Sequence, residues 1–484
     1  MDKRYLLLAL ALLLGGFLVF SPHLTNSYPL HIDEWRHITL SENLLQSGSG
    51  FLTFMINNPL ETGFHIFLIF VNFFFNLVTF YQFLPLLNFL AISLVLFYFL
   101  RKKYNFWVGL FVVLFLSSLK SNVNISGLWF FVPLTLAIPF IYLFLFLLED
   151  TFESNKKFIL VLASLFLVSF IHQSTFAVLS LTFILFFIFR KNLIKINYKY
   201  LSYFSILLLP ILLAGLFLFR TSLSLGIFFN KFIFGPGIIQ INYNLFLLYG
   251  IVPSIFALIG FFYLFKKKEL LPIRIYFLIS AFNLILFSIF HFSIFSSYQR
   301  YVYHLLLSGV VLSSVGLYFS LRYFYLKLFF VNNNLFKKIL VFVLALLLIC
   351  SSFIGYYSIH PQAKLYTIIN DADYHAMVFF KNYSFPTLLQ NYKPELSEVI
   401  SLPSPGVALP ALARKSSISG IFFALERGKI DSVNFFNSNC ADKKEILSHW
   451  ENLKYIYSYS DINCSFLENI YSYGGVWIYT ISPN

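Results

Sequence analysis

The stretch His31-Ile32-Asp33-Glu34-Trp35-Arg36-His37 sets two adjacent carboxylates between two imidazoles and beside a guanidinium. A carboxylate can take a proton from a hydroxyl as a general base, or it can ligate a metal ion. The stretch follows an apolar run, and ionisable groups at a membrane boundary are costly unless solvated, paired or used. A solvated juxtamembrane loop with ordinary charges is the plainer reading. Asp33 to Gln46 has helical periodicity, with Trp35, Ile38 and Leu45 as apolar contacts. At the start of such a helix Asp33 could serve as the N-cap, which competes with a chemical role. A metal site built from Asp33, His31 and His37 lacks a fixed helical spacing, and no metal is assigned.

Few other polar residues are placed to join this stretch. His65 lies further along the same loop. His172, in Ile171-His172-Gln173-Ser174-Thr175, joins two apolar runs and either lines a cavity or is a satisfied loop histidine. Arg300, in Ser297-Tyr298-Gln299-Arg300-Tyr301, opens a run, and its alternative is an interfacial anchor beside aromatics. Arg220 ends a run, and Lys231 follows in a loop with Gly235-Pro236-Gly237 as a turn.

The elements that must position these residues are membrane helices. Of the 484 residues 59% are hydrophobic and 11% charged, against about 25% charged in soluble domains. The net charge of +14 does not indicate nucleic acid, because the basic residues sit in short clusters between apolar runs. Eleven runs are expected to span: 5–20, 83–100, 105–119, 129–148, 157–171, 174–190, 201–219, 246–265, 272–290, 301–320 and 337–357, each near the roughly 20 residues a crossing needs. The first is read as a transmembrane helix and not a signal peptide, since no small-x-small site follows it. A further run, Gly63 to Phe80, decides the topology. If it does not span, 19 of the 34 Lys and Arg fall in cytoplasmic segments and five in outer loops, namely Arg36, Lys120, Arg220, Lys231 and Arg300. That asymmetry obeys the positive-inside rule. The run 63–80 is therefore expected to be re-entrant or interfacial within a first outer loop spanning 21–82. The N-terminus is then cytoplasmic and the region after 357 extracytoplasmic, in a multi-pass protein of the plasma membrane.

Residues 1–357 thus form a transmembrane domain and 358–484 a small soluble α/β domain. In the latter, a helix is expected at Asp371–Lys381, a strand at Glu398–Leu402, a loop at Pro403–Gly406, a helix at Asp442–Leu453, and strands at Lys454–Tyr459 and Gly475–Ile481. It carries no nucleophile elbow, P-loop or zinc spacing. Of three cysteines, Cys350 is expected in the core, and Cys440 and Cys464 pair or remain free thiols.

Asp33-Glu34-x-Arg36, followed by Ser41-Glu42-Asn43-Leu44-Leu45-Gln46-Ser47-Gly48, Asn58-Pro59-Leu60 and His65, resembles the first outer loop of GT-C glycosyltransferases. It is similar to the Asp-Glu motif of protein O-mannosyltransferases and aminoarabinose transferases. The resemblance implies a carboxylate at the active centre, Asp33 or Glu34, and a short helix in that loop that fails to span. It implies an inverting transferase that moves a sugar from a polyprenyl-phosphate carrier in the membrane lipid to an acceptor protein, lipid or glycan. A carboxylate would take the acceptor's proton. A cation would stabilise the developing phosphate charge, with Arg300, Arg220 and Arg36 as the arginines and His172, His65 and His37 as further lining. Two departures stand. No Trp-Trp pair occurs, whereas oligosaccharyltransferases carry Trp-Trp-Asp. The second outer loop, about Lys120 to Gly127, has Asn122 and Asn124 but no acid, which favours a base without a metal ion over a two-carboxylate metal site.

A transporter or flippase of lipid-linked glycans is the main alternative. Transporters carry charges or broken helices near the bilayer midplane. Here the runs are nearly free of central charge, Pro133, Pro139 and Pro210 are the main breakers, and no inverted repeat is visible. A non-catalytic assembly protein is the third reading.

Overall fold

The computed structural model describes residues 4–46, 61–121, 127–151, 154–190, 248–328, 334–353, 368–383, 397–420 and 426–482. In chain order the helices are α1 (Arg4–Phe20), α2 (Ile32–Gln46), α3 (Thr62–Phe74), α4 (Leu77–Phe80), α5 (Leu84–Lys103), α6 (Phe106–Ser117), α7 (Pro133–Glu149), α8 (Asn155–Ile171) and α9 (Gln173–Arg190). There follow α10 (Ile251–Lys267), α11 (Leu271–Phe290), α12 (Tyr298–Lys327), α13 (Asn334–Ser352), α14 (Asp371–Tyr383), α15 (Pro403–Leu412), α16 (Glu426–Asn437) and α17 (Cys440–Ser448). The strands are β1 (Val399–Ile400), β2 (Tyr455–Ser458), β3 (Leu467–Tyr473) and β4 (Val476–Ile481). Contacts divide the chain into two compact units. One comprises Met1–Pro22, Leu60–Phe64 and Phe83–Gln362, the other His23–Pro59, His65–Gln82 and Ala363–Asn484.

The first unit is a helical bundle. Among the described residues of the chain, six stretches are long and apolar enough to cross a membrane: Arg4–Leu24, Leu77–Lys103, Gln173–Arg190, Leu271–Phe290, Tyr298–Lys327 and Asn334–Ser352. The run 201–219 lies outside the described residues, and every other run expected to span coincides with a helix. Leu13, Phe262, Phe282 and Leu347 are exposed on the outside of the bundle. Cys350 is exposed too, and not in the core as expected: α13 turns most of its apolar side chains outward, and Cys350 shares that face.

Polar contacts gather several helix ends at one end of this bundle. Lys103, closing α5, lies 3.3 Å from Glu149, closing α7. Arg190, closing α9, donates to the Glu149 carbonyl at 2.8 Å. The Glu149 carboxylate accepts the N–H groups of Leu270 and Leu271 at 3.1 and 3.0 Å, where α11 starts. The Arg101 guanidinium stands 5.3 Å from the Tyr5 ring, and that of Arg4 lies 5.9 Å from the Phe106 ring. So α1 leaves this end and α5 returns to it. At the opposite end Phe20 and Phe83 stack at 5.6 Å. The segment between them starts and finishes side by side. Within it α3 has 13 residues, a rise of about 20 Å against a hydrocarbon thickness of about 30 Å. It ends before Asn76, whose side chain accepts from Val78 and Thr79 N–H and starts α4 afresh.

Helices α10 and α12 meet backbone to backbone. A Cβ on Gly260 would run into the carbonyl of Leu312, and one on Gly316 into that of Phe256. Small residues let backbones touch where lipid supplies no hydrophobic drive between helices.

The second unit holds α2, α3 from His65 onward, α4 and the C-terminal elements. Its sheet has the order β1-β2-β4-β3; β1 pairs parallel with β2, and the other pairs are antiparallel. Ile400, Ile418, Phe435, Trp450, Ile456 and Tyr479 form its core, and Cys440 and Cys464 are joined by a disulfide. The expected loop Pro403–Gly406 is instead the first turn of α15. Proline suits that turn because the first helical N–H groups have no partner inside the helix. The strand β3 and the helix α16 are additions to the elements expected from the sequence.

Candidate functional site

Helix α2 opens without using Asp33 as its cap. The buried Glu34 reaches back, and one of its carboxylate oxygens accepts the N–H groups of Leu30 and His31, both at 2.8 Å. This is the return half of a capping box. The Asp33 N–H donates to His31 Nδ1 at 3.0 Å, so His31 supplies the side-chain cap. Trp35, fully buried, donates its indole N–H to the Pro29 carbonyl at 3.1 Å and fixes the entry of the chain. Trp35 and Ile38 are buried as expected, but Leu44 takes the inward position assigned to Leu45, which is exposed.

Glu34 is bound to backbone and buried, and Asp33 is the more exposed acid of the pair. Its side chain is 29% exposed, and Oδ2 lies 3.5 Å from His31 Nδ1. That nitrogen accepts from the Asp33 N–H when His31 is neutral and pairs with the carboxylate when it is protonated. A proton arriving at Asp33 thus has a second resting place beside it.

Arg36 is exposed on α2. His37 Nδ1 meets His65 Nε2 at 3.1 Å, and both rings are buried. Burial, then the charge of Arg36, pulls His65 down to about 4. A neutral His65 lets one ring donate and the other accept, which makes the pair a tie between α2 and α3. Glu42 adds a second tie: it accepts from Asn72 at 3.2 Å and lies 3.6 Å from Arg414. Tyr28 donates to Asp371 at 2.9 Å and stacks on Tyr374 at 5.1 Å. The acidic stretch is therefore held against the C-terminal elements of its unit.

The first unit carries the other candidates. His172 sits between α8 and α9, with Nδ1 2.6 Å from Thr175 Oγ1 and Nε2 4.0 Å from Glu61. Burial, then the charges of Arg300 and His304, holds it well below the usual histidine range. Arg300 lies in the first turn of α12, at the end of the bundle opposite Glu149. His304 is one turn further on and fully buried, with Nδ1 2.6 Å from the Tyr276 hydroxyl. Both His304 and Tyr276 are hard to single out from the sequence because they stand inside apolar runs, although an ionisable residue in such a run is itself the signal. Arg220 and Lys231 lie outside the described residues, as do Asn122 and Asn124. Asp33 and Arg300 belong to different units.

A cavity of about 350 Å³ opens between α9 and α11, lined by Leu181, Leu185, Leu278 and Phe282 and ending at Ile294 and Phe295. Among the described residues no group of three or more His, Cys, Asp or Glu could hold a metal ion. Asp33 and His31 place a carboxylate oxygen and an imidazole nitrogen 3.5 Å apart.

No family model and no characterised protein matches the chain by sequence. Solved structures do match it. The oligosaccharyltransferase of Archaeoglobus fulgidus in its apo form superposes with a TM-score of 0.61 at 14% identity, covering 94% of this chain and 69% of that one. The same enzyme tethered to an acceptor peptide gives 0.59 at 14% identity, with the same coverage of each chain. A further structure, the archaeal AglB from Archaeoglobus fulgidus in complex with an inhibitory peptide and a dolichol-phosphate, gives 0.52 at 13% identity, again covering 94% and 69%. The chain has the fold of these archaeal oligosaccharyltransferase structures. The sequence motif points within the GT-C group to mannosyl- and aminoarabinose transferases, whereas these structural neighbours are oligosaccharyltransferases. The chain shares the fold of these enzymes but has no Trp-Trp pair.

Proposed function

We propose that this protein is an inverting membrane glycosyltransferase that moves a sugar from a polyprenyl-phosphate carrier to an acceptor outside the cell, with Asp33 as general base. The observation that carries the reading is the division of labour at the start of α2: Glu34 is bound to backbone, and Asp33 is left partly exposed beside His31. The shared GT-C fold supports the reaction class. The dolichol-phosphate and acceptor peptide held by the archaeal enzyme support the partners.

In the reaction the acceptor hydroxyl attacks the anomeric carbon of the donor sugar. Its O–H bond breaks, and the proton passes to Asp33. The bond from the anomeric carbon to the phosphate oxygen breaks on the opposite face, and the polyprenyl phosphate leaves with the electron pair. A cation stabilises the phosphate as its charge grows, and Arg300, with His172 as a neutral neighbour, is the candidate the first unit offers. The apolar cavity between α9 and α11 suits the isoprenoid chain. No step is assigned to a metal ion.

Eleven spans complete the reading, with the end of the bundle that carries Arg4, Arg101, Lys103 and Arg190 cytoplasmic by the positive-inside rule. The Cys440–Cys464 disulfide fits a C-terminal region in an oxidising compartment.

Purified protein in nanodiscs with a radiolabelled polyprenyl-phosphate sugar tests the base. Asp33→Asn should lower transfer by about 100-fold or more while donor binding is retained. Full transfer by that variant would remove Asp33 from the role. Flux of the lipid across proteoliposomes without covalent transfer would support the flippase reading instead.

A further inference from the structure

Among the described residues, four side-chain atoms around the start of α12 are buried with no hydrogen-bond partner: Ser296 Oγ, Gln299 Oε1, Tyr303 OH and His304 Nε2. Buried polar atoms are nearly always satisfied, and each exception asks what satisfies it in the working protein. His304 gives the most definite answer. Its Nδ1 lies 2.6 Å from the Tyr276 hydroxyl, and Tyr276 has no other side-chain hydrogen bond. The arrangement that satisfies more groups has Tyr276 donating its O–H to Nδ1. The ring proton then sits on Nε2, which becomes an N–H donor facing no acceptor. Tyr276 thereby fixes both the tautomer and the tilt of the ring.

This donor stands one helical turn from Arg300, on the same face of α12. A neutral imidazole N–H adds donor strength beside a guanidinium without burying a second positive charge. That combination matches an oxyanion better than a cation or an apolar group. Resting on the reading of Arg300 as the phosphate-binding residue, we propose that His304 Nε2–H binds an oxygen of the carrier's phosphate, with Tyr276 as the positioning residue that orients it.

The test uses the full-length protein in nanodiscs, with farnesyl phosphate as the probe, farnesol as the uncharged control and inorganic phosphate as competitor. Wild type should bind farnesyl phosphate well above farnesol. His304→Phe should lose about tenfold in affinity for farnesyl phosphate and nothing for farnesol, with a melting temperature unchanged or raised. His304→Gln, which can return an N–H near the Nε2 position, should recover part of the loss, and Tyr276→Phe should lose less than His304→Phe. If His304→Phe folds poorly, the double variant His304→Phe/Tyr276→Phe removes both partners together and serves in its place. Equal affinity of the two lipids for wild type would overturn the phosphate site as a whole and His304 with it. A preference that falls in Arg300→Ala but persists in His304→Phe would overturn the His304 assignment alone. Displacement of farnesyl phosphate by low inorganic phosphate would assign the donors to free phosphate and overturn the carrier assignment.

Discussion

At the scale of single residues, the chemistry of the acidic pair is decided by backbone. A carboxylate accepting two N–H groups at 2.8 Å is held still, which gives Glu34 a structural place; the proposed reading gives proton transfer to its neighbour Asp33. Glu34→Ala should orphan two buried N–H groups and cost about 2 kcal/mol, read as a fall in melting temperature. Glu34→Gln keeps an acceptor oxygen and should fall less. If Glu34→Gln abolished transfer as fully as Asp33→Asn, with its melting temperature intact, the base would be Glu34. His65 makes a second prediction, about pH. Its pKa is about 4 in the folded chain against an ordinary 6.5, so between those values the unfolded chain holds a proton that the folded chain lacks. The stability it contributes is complete above pH 6.5 and is lost as pH falls toward 4, about 3 kcal/mol in all. Melting temperatures taken between pH 7.5 and 5 should decline, and His65→Gln should flatten that decline; an equal slope in both proteins would place the titration elsewhere, for example on His37.

At the scale of elements, the bundle depends on the contact of α10 with α12, where Gly260 and Gly316 leave no room for a side chain. Gly316→Leu should push the helices apart and lower the melting temperature by several degrees, while an exposed lipid-facing change such as Phe262→Leu should do little; a Gly316→Leu protein as stable as wild type would mean that the two backbones can separate freely. Such contacts are not legible in the sequence, because a glycine inside an apolar run does not declare which helix it touches. The runs themselves are legible, since hydrophobic length is a direct readout of bilayer thickness. The division between Asp33 and Glu34 is only half legible: either acid could cap α2, and the reach of one methylene more lets Glu34 return to the N–H of His31. The Pro403 segment is ambiguous because proline marks loops and first helical turns alike. Burial settles it as a helix, since Pro405 to Leu412 are buried throughout. His304 is hidden by the apolar residues around it.

At the scale of the whole molecule, the proposed topology makes opposite statements about two exposed positions. A cysteine at Lys102, near the Glu149 end of the bundle, should react with a membrane-impermeant maleimide only after cells are permeabilised. A cysteine at Ser448, in the disulfide-bonded C-terminal region, should react in intact cells. Labelling of both in intact cells would break the positive-inside assignment.

Glu149 has a further consequence, one of timing. The residues whose N–H groups it accepts follow it by 121 and 122 positions. At a synthesis rate of roughly 5–20 residues per second, those partners are made on the order of ten seconds after Glu149 itself. Throughout that interval the nascent chain carries a carboxylate at the mouth of a half-built bundle, with Lys103 as its neighbour and the start of α11 not yet made. The arrival of α11 closes the contact. The ordering of this end of the bundle by Glu149 is therefore complete only once α11 has been made.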